Sequence, residues 1–383
     1  MKPIPSKLPH IGTTIFTTMS ALAQDTGAVN LGQGFPDFDC DPRLLDALDR
    51  ATRAGHNQYA PMAGVPALRE AIAEKVESLY GRPYDVASEI TVTAGATQAI
   101  QTALTAIVQP GDEVIVFEPV YDSYEPVVRM NGGTTIALPL TFPDYRPDWE
   151  SLRTVLTPKT RAVMINTPHN PTATVWSRED LETLAAILAP TDALLISDEV
   201  YEHMVYDGAR HVSAASIPSL AERAFVISSF GKTYHVTGWK IAYAVAPRDL
   251  MAEFRKAHQF VVFTVHTPSQ VAIAEYMKQH SHDTLSDFYQ AKRDFFLDAV
   301  KGSRLFWHAS RGTYFVSASY AHLPEFASLS EIDFATMLTR VVGVAAIPIS
   351  AFYRQPVDRG LARFCFAKRE ETLANAAHRL LKL

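Results

Sequence analysis

The chain has 383 residues, 47% of them hydrophobic, and a formal net charge of −6. That length supports two domains, or one large domain with a smaller partner, and the apolar share supports a sizeable core. The acidic balance, with no basic run, argues against a nucleic-acid surface, and no apolar run reaches the roughly 18 residues of a membrane span.

Residues 1–30 read as an arm followed by a helix-like piece, TTMSALAQ. The opening MKPIPSKLPHIGTTIF carries prolines and no apolar stretch, so no secretory leader is expected. LGQGFPDF (31–38) is loop chemistry, because its glycines and proline do not suit a regular element. Residues 43–54 and 64–80 have helical periodicity. From about residue 90, short apolar runs alternate with helical patterns. The strand candidates are 90–95, 113–119, 162–168, 193–199, 224–230 and 241–247; the helical patterns are 97–108, 178–188 and 248–258. Near-continuous apolar strands alternating with helices predict a mostly parallel sheet covered on both faces. After about residue 285 a helix, short strands (GTYFVSA, VAAIPI, LARFCFA) and a terminal helix predict a smaller α+β domain. The fold class expected is α/β: a three-layer α/β/α large domain plus that smaller domain. The expected division is 1–45 for the N-terminal arm and part of the small domain, 46–283 for the large domain, and 284–383 for the C-terminal small domain.

In open α/β sheets, ligands bind outside the carboxyl ends of the strands. The residues after each predicted strand are therefore the informative ones. Gly95-Ala96-Thr97 follows the first and opens a helix, a turn that lets backbone N–H groups meet a phosphate. Tyr121 follows the second, Asn170 the third, Asp198 and Tyr201 the fourth, and Lys232 the fifth. Each has an ordinary reading: an exposed lysine, a capping acid, a packing ring. Each also has a chemical one. A desolvated lysine can attack a carbonyl. A buried carboxylate needs a partner, and the pyridinium of pyridoxal phosphate is one. Ser229 and Lys240 stand where they could complete a phosphate cradle, and Arg363 in LARFCFA could clamp a carboxylate. No HExxH or CxxC occurs, and His280 and His282 sit on a polar stretch, so no metal site is expected. The two cysteines, Cys40 and Cys365, do not make a disulfide framework, so a cytoplasmic setting is expected.

The motifs YAPMAG, TAGATQA, EPVYDSY, NTPHNPTA, SDEVYEH, SSFGKTYHVTGWK and RFCFAK, in this order, resemble those of the class I/II, fold-type I aminotransferases that use pyridoxal 5′-phosphate. QGFPDF, NQYAPM and SSFGKT are most similar to the methionine aminotransferase and kynurenine/glutamine transaminase group. The resemblance implies that Lys232 carries the cofactor as an internal aldimine and shuttles the Cα proton. It implies that Asp198 meets the pyridine nitrogen, Asn170 and Tyr201 the ring oxygen, and Tyr121 the ring face. Gly95, Ala96, Thr97, Ser229 and Lys240 would hold the phosphate. Tyr59 would reach the phosphate of the other subunit, which implies a homodimer with shared sites. Arg363 and Asn170, with Gly34 beside them, would bind the substrate carboxylate. The implied activity is ping-pong transfer of an amino group from an amino acid to a 2-oxo acid. Two positions depart from the family pattern. Lys240 stands where many relatives have arginine, and Ala173 stands where NPTG has glycine. If that position needs a positive φ, alanine is strained there.

The substrate pocket is expected to draw on Ile15-Phe16, Tyr59, Tyr121 and the segment 260–270. These are apolar and aromatic, without a second arginine, which favours methionine and aromatic or other large neutral amino acids over aspartate. A carbon–sulfur β-lyase acting on cysteine conjugates would use the same lysine and the same cofactor. Pyruvate formed without an added 2-oxo acid would distinguish it. A non-enzymatic reading, the aminotransferase-like effector domain of a transcription regulator, lacks the DNA-binding segment and basic patch it requires.

Overall fold

The computed structural model describes residues 4–280 and 284–383, so Met1–Pro3 and His282 lie outside the described residues. Its centre is a seven-stranded sheet: β1 (Ile90–Thr93), β2 (Glu113–Glu118), β3 (Thr134–Pro139), β4 (Thr160–Asn166), β5 (Leu194–Asp198), β6 (Ala224–Ser229) and β7 (Ala242–Val245). The spatial order is β1-β7-β6-β5-β4-β2-β3. Strands β6, β5, β4, β2 and β3 pair in parallel, and β7 runs antiparallel to both its neighbours. Since β1 and β6 both oppose β7, β1 points the same way as the parallel set. Its exit therefore lies on the same edge as theirs.

Side chains alternate across this sheet, and both faces are buried. Ile115, Phe117, Val163, Ile165, Leu195 and Val226 face one core, which the helices Pro42–Arg53, Pro66–Tyr80, Arg178–Leu188 and Thr267–Gln279 cover. Val114, Val116, Met164, Ile196, Phe225 and Ile227 face the other, under Ala96–Ile107, Tyr124–Met130 and Arg248–Val261. This is why these strands read as continuous apolar runs rather than alternating ones. Each fully buried Ile or Leu contributes about 1.5–3 kcal/mol, so the sheet is a stiff platform for whatever leaves its edge.

The predicted strands and helices around them are present within a few residues. Among the elements that went unpredicted, such as the helices Tyr124–Met130 and Trp149–Val155, two stand out. The strand β3 (TTIALP) lies at the sheet edge with both ends exposed, so it lacks an apolar run. The helix Thr267–Gln279 carries its core face as small residues, Ala272 and Ala274, beside Ile273.

A second, antiparallel sheet is made by β8 (Phe306–Trp307), β9 (Phe315–Ser319), β10 (Ile347–Pro348) and β11 (Leu361–Cys365), ordered β10-β11-β9-β8. It has its own core, including Phe296, Val316, Phe364 and Leu373. The N-terminal chain joins this layer. Val29–Asn30 pairs in parallel with Val344–Ala345, and Met19 packs with Ala335, Ile347 and Phe352.

Candidate active site

A cavity of about 360 Å³ opens where the exits of the large sheet face β9 and β11. Every residue given a cofactor or substrate-carboxylate contact from the sequence lines it except Tyr59. Each arrives by a short route from a rigid element. Asp198 is the last residue of β5, Ser229 the last of β6, and Lys232 sits in the single turn Phe230–Thr233 that follows. Asn170 follows β4 by four residues and lies between two cis prolyl bonds, Thr167-Pro168 and Asn170-Pro171. Gly95 caps the helix Ala96–Ile107 with φ 81° and ψ 164°, a conformation almost confined to glycine. The N–H groups of the first helical turn have no partners within the helix. Lys240 Nζ would stand 3.0 Å from a Cβ at Gly95, so the cation lies directly over this turn. The arrangement is an anion cradle: free N–H groups, a helix N-terminus and a lysine.

Asp198 is buried and held from two sides. Tyr124 Oη donates to Oδ2 at 2.5 Å, and the Val200 N–H donates to Oδ1 at 3.3 Å. Burial nonetheless raises its carboxyl to about 6, so the site favours a cation that would keep it ionised. Lys232 is half-buried, and desolvation lowers its amine to about 8, with Arg363 and Lys240 acting in the same direction. Its Nζ donates to Tyr314 Oη at 2.8 Å and to the Gly34 carbonyl at 3.3 Å. An amine near 8 keeps a usable neutral fraction at neutral pH.

Arg363 is almost completely buried on β11. Its Nη1 donates to Asn170 Oδ1 at 2.6 Å and its Nη2 to the Gly32 carbonyl at 3.0 Å, while Nε is buried without a partner. Its guanidinium lies 3.8 Å from the Phe315 ring centroid. Desolvation lowers it to about 10, so it stays charged with donors to spare, a fork ready for a carboxylate. A Cβ on Gly34 would meet Phe315 at 2.7 Å. Glycine is required there for the loop to approach.

Several partners escaped the sequence reading. Asn166 Oδ1 accepts from the Asn170 N–H, and its Nδ2 donates to the Asp198 carbonyl, tying two strand exits together. Tyr124 lies in EPVYDSY and carries a usable signal, since a tyrosine one helical turn from Tyr121 can face the same way; Tyr314 carries none. Behind the cavity, Lys75 Nζ pairs with Glu202 Oε1 at 2.6 Å and bonds Tyr243 Oη at 2.8 Å, both partners buried. Burial pushes Glu202 up, but Lys75, His203 and Ser228 outweigh it and hold the carboxyl below its usual range.

The expected pocket regions are only partly present. Phe16 and Tyr121 line the cavity, joined by Phe35, Ile100, Val200 and Phe315. Ile15 packs instead against the Met19 cluster. Tyr59 and the segment 260–270 are not at this cavity: Tyr59 and Phe260 are 83% and 85% exposed, and Tyr59 stacks edge-on with Phe263 at 5.5 Å. The loop after Thr167 carries a positive φ at Ala173, 60°. That strain costs roughly 1–2 kcal/mol. The buried methyl returns about 0.8 kcal/mol, and the smaller entropy of unfolded alanine about 0.4–1 kcal/mol. The two sides nearly balance, so alanine is tolerated at this positive φ.

The model of the aminotransferases of class I and II matches residues 26–380. The chain belongs to that family. It is 49% identical to methionine aminotransferase of Escherichia coli, over 99% of this chain and 98% of that one. A crystal structure from Escherichia coli, reported as identifying a methionine aminotransferase function, superposes with TM-score 0.97 over the whole of both chains. The N-succinyldiaminopimelate aminotransferase of Mycobacterium tuberculosis is 42% identical, with TM-score 0.94, covering 99% of this chain and all of that one. Mouse kynurenine–oxoglutarate transaminase 1 is 33% identical over 98% of this chain and 97% of its own.

Aminotransferases of this family are enzymes that use pyridoxal 5′-phosphate, with amino acids and 2-oxo acids as substrates. The cavity fits that group on its own evidence. It offers an anion cradle at Gly95, a buried carboxyl that seeks a cation at Asp198, a softened amine at Lys232, and a guanidinium with an unpartnered Nε. No cluster of metal-ligating side chains occurs among the described residues.

Proposed function

We propose that this aminotransferase moves the amino group of methionine and of aromatic or other large neutral amino acids to a 2-oxo acid. The cavity wall carries this reading. Among the described residues that line it, Arg363 is the one arginine, matched to one carboxylate, and Phe16, Phe35, Tyr121, Val200 and Phe315 line it too, with Gln33. A dicarboxylate would bring a second charge to an apolar wall, which costs several kcal/mol unless paired. The 49% identity to a methionine aminotransferase agrees with this.

Pyridoxal 5′-phosphate supplies a carbonyl carbon that captures the amino group and a ring that withdraws the electrons of the Cα–H bond. The chain supplies everything else. Lys232 would hold the cofactor and, once free, would take the Cα proton onto Nζ and return it. Asp198 would keep the ring nitrogen protonated, and Tyr124 holds that carboxylate in place. Tyr201 and the Asn170 amide would face the ring oxygen, and Tyr121 would cover the ring. Gly95, Ala96, Thr97, Ser229 and Lys240 would hold the phosphate. Arg363, steadied by Asn170 and Gly32, orients the substrate carboxylate, with Gly34 beside it.

The same reading includes a homodimer. Tyr59, Phe260, Val261 and Phe263 form an exposed apolar patch, the kind of surface that marks an interface. Tyr59 would there reach the partner's phosphate. The division at 1–45, 46–283 and 284–383 belongs to this reading too, with its first boundary falling inside the helix Pro42–Arg53 that packs on the large sheet. Both cysteines are free thiols, which supports a cytoplasmic setting. A half-reaction screen tests the substrate choice by following the cofactor's absorbance as each amino acid is added. Methionine and phenylalanine should react fastest, and a panel led by aspartate overturns the proposal.

A further inference from the structure

The backbone of Asp198 is pinned independently of its side chain. Its carbonyl accepts from the Thr167 N–H at 3.1 Å and from Asn166 Nδ2 at 2.9 Å. The carboxylate has two donors of its own, the Val200 N–H at 3.3 Å and Tyr124 Oη at 2.5 Å. The first is long. The second has the length of a hydroxyl bonded to an ionised acceptor. Among the described residues no lysine or arginine forms an ion pair with this carboxylate; Lys232 favours its charge only through space, and Glu199 opposes it. Glu199 is occupied elsewhere, by Ser197 Oγ at 2.7 Å, the Ala214 N–H at 2.9 Å and His211 Nε2 at 2.8 Å. The phenol of Tyr124 is therefore the one short contact that holds the Asp198 carboxylate.

Tyr124 is buried and opens the helix Tyr124–Met130. Its N–H donates to the Tyr121 carbonyl at 3.2 Å, and its ring meets that of Tyr121 edge-on at 5.9 Å. One side chain thus touches both the carboxylate read as the partner of the ring nitrogen and the ring read as its cover. Asp198 and Tyr121 line the cavity and Tyr124 stands behind them, so it acts through them. Burial pushes the Tyr124 phenol well above its usual range, so it keeps its hydrogen and donates it.

We propose that Tyr124 is a positioning residue whose phenol locks the Asp198 carboxylate, in its charged form, for the ring nitrogen of the cofactor. This rests on the reading of Asp198 as that nitrogen's partner. The balance is close. Burial raises the carboxyl to about 6, and the Tyr124 hydrogen bond is the largest influence that opposes this rise. Without that donor the carboxyl takes up its proton at a higher pH still, and a neutral acid does not stabilise a protonated ring nitrogen.

The test is Tyr124→Phe, which keeps the ring, its contact with Tyr121 and the backbone bond, and removes only the oxygen. Binding of pyridoxamine phosphate to the full chain is measured by equilibrium dialysis at pH 6 and at pH 8.5. The ionisation of the ligand itself cancels in the ratio of the two chains, so the ratio reports the carboxyl. At pH 6 the variant should bind roughly fivefold or more weakly, because loss of a donor to a charged acceptor raises the carboxyl's titration by about one pH unit or more. At pH 8.5 both carboxyls are ionised, and the two chains should agree within about twofold. The same substitution made in Asp198→Asn excludes a merely structural role. With no carboxylate to hold, removal of the phenol should change binding by less than about twofold at either pH. Equal binding at pH 6 overturns the proposal. A loss of the same size at both pH values, or in the Asp198→Asn background, also overturns it, because Tyr124 then supports the shape of the site and not the charge of Asp198. Asp198→Asn alone is the control for the underlying reading: if it binds pyridoxamine phosphate as tightly as the parent chain, Asp198 does not meet the ring nitrogen, whatever Tyr124→Phe does.

Discussion

Replacing Lys232 by Met should make the cofactor-free chain more stable, although it abolishes turnover. Burial moves the amine from 10.5 to about 8 in the folded chain, and unfolding restores the ordinary value. The folded pKa lies below the unfolded one, so folding a protonated lysine is penalised. The penalty is complete below about pH 8 and fades as pH rises from there towards 10.5. At pH 7 a shift of this size corresponds to roughly 3 kcal/mol, and at pH 9.5 to about 1 kcal/mol. Water reaches the amine through the cavity mouth, so these figures are ceilings. Methionine nearly matches the aliphatic stem, and it strands no acceptor, because Tyr314 still donates to the Gly34 carbonyl. Urea unfolding of both cofactor-free chains at pH 7 and pH 9.5 measures the difference. A gain at pH 7 that shrinks at pH 9.5 is expected. A variant no more stable at pH 7, or a gain independent of pH, would refute the account of a desolvated lysine that the fold holds at a cost in stability.

Three further outcomes follow from the site and its supports. Gly95→Ala forces an L side chain to φ 81° and displaces the Lys240 tip. It should cost about 1–3 kcal/mol and weaken cofactor retention, read by dialysis and absorbance. Lys75→Met leaves Glu202 buried without its cation and should cost about 3–5 kcal/mol. Glu202 is held below its unfolded pKa, so this pair's contribution is present above about pH 4 and vanishes as acid protonates the carboxyl; the difference from the parent chain in urea should narrow there. Ala173→Gly should change stability by less than about 1 kcal/mol, since relief of left-handed strain is offset by the lost methyl and the freer unfolded chain. A larger gain in melting experiments would mean that the strain at Ala173 is not balanced.

The chemistry of this protein was largely legible in order along the chain. Lys232, Asp198, Asn170, Tyr121 and Gly95 each stand within a few residues of the end of a strand, and parallel strands deliver their exits to one edge. Apolar continuity identified the strands, and the strands placed the side chains. Local sequence also marked Gly95 and Ala173 as positions where backbone conformation would matter. Contacts between distant segments were not legible. Tyr314 and Gly34 are separated by 280 residues, Lys75 and Glu202 by 127, and Tyr124 and Asp198 by 74. No periodicity encodes such pairs, because each depends on how two finished elements pack. The edge strand β3 and the small-residue helix Thr267–Gln279 were missed for the related reason that their burial comes from neighbours rather than from their own composition. Sequence alone determined which reactive groups leave the sheet and on which side; only the tertiary structure decided how they are held, because aim, desolvation and hydrogen-bond direction exist only once the small sheet and the N-terminal loop close over that edge.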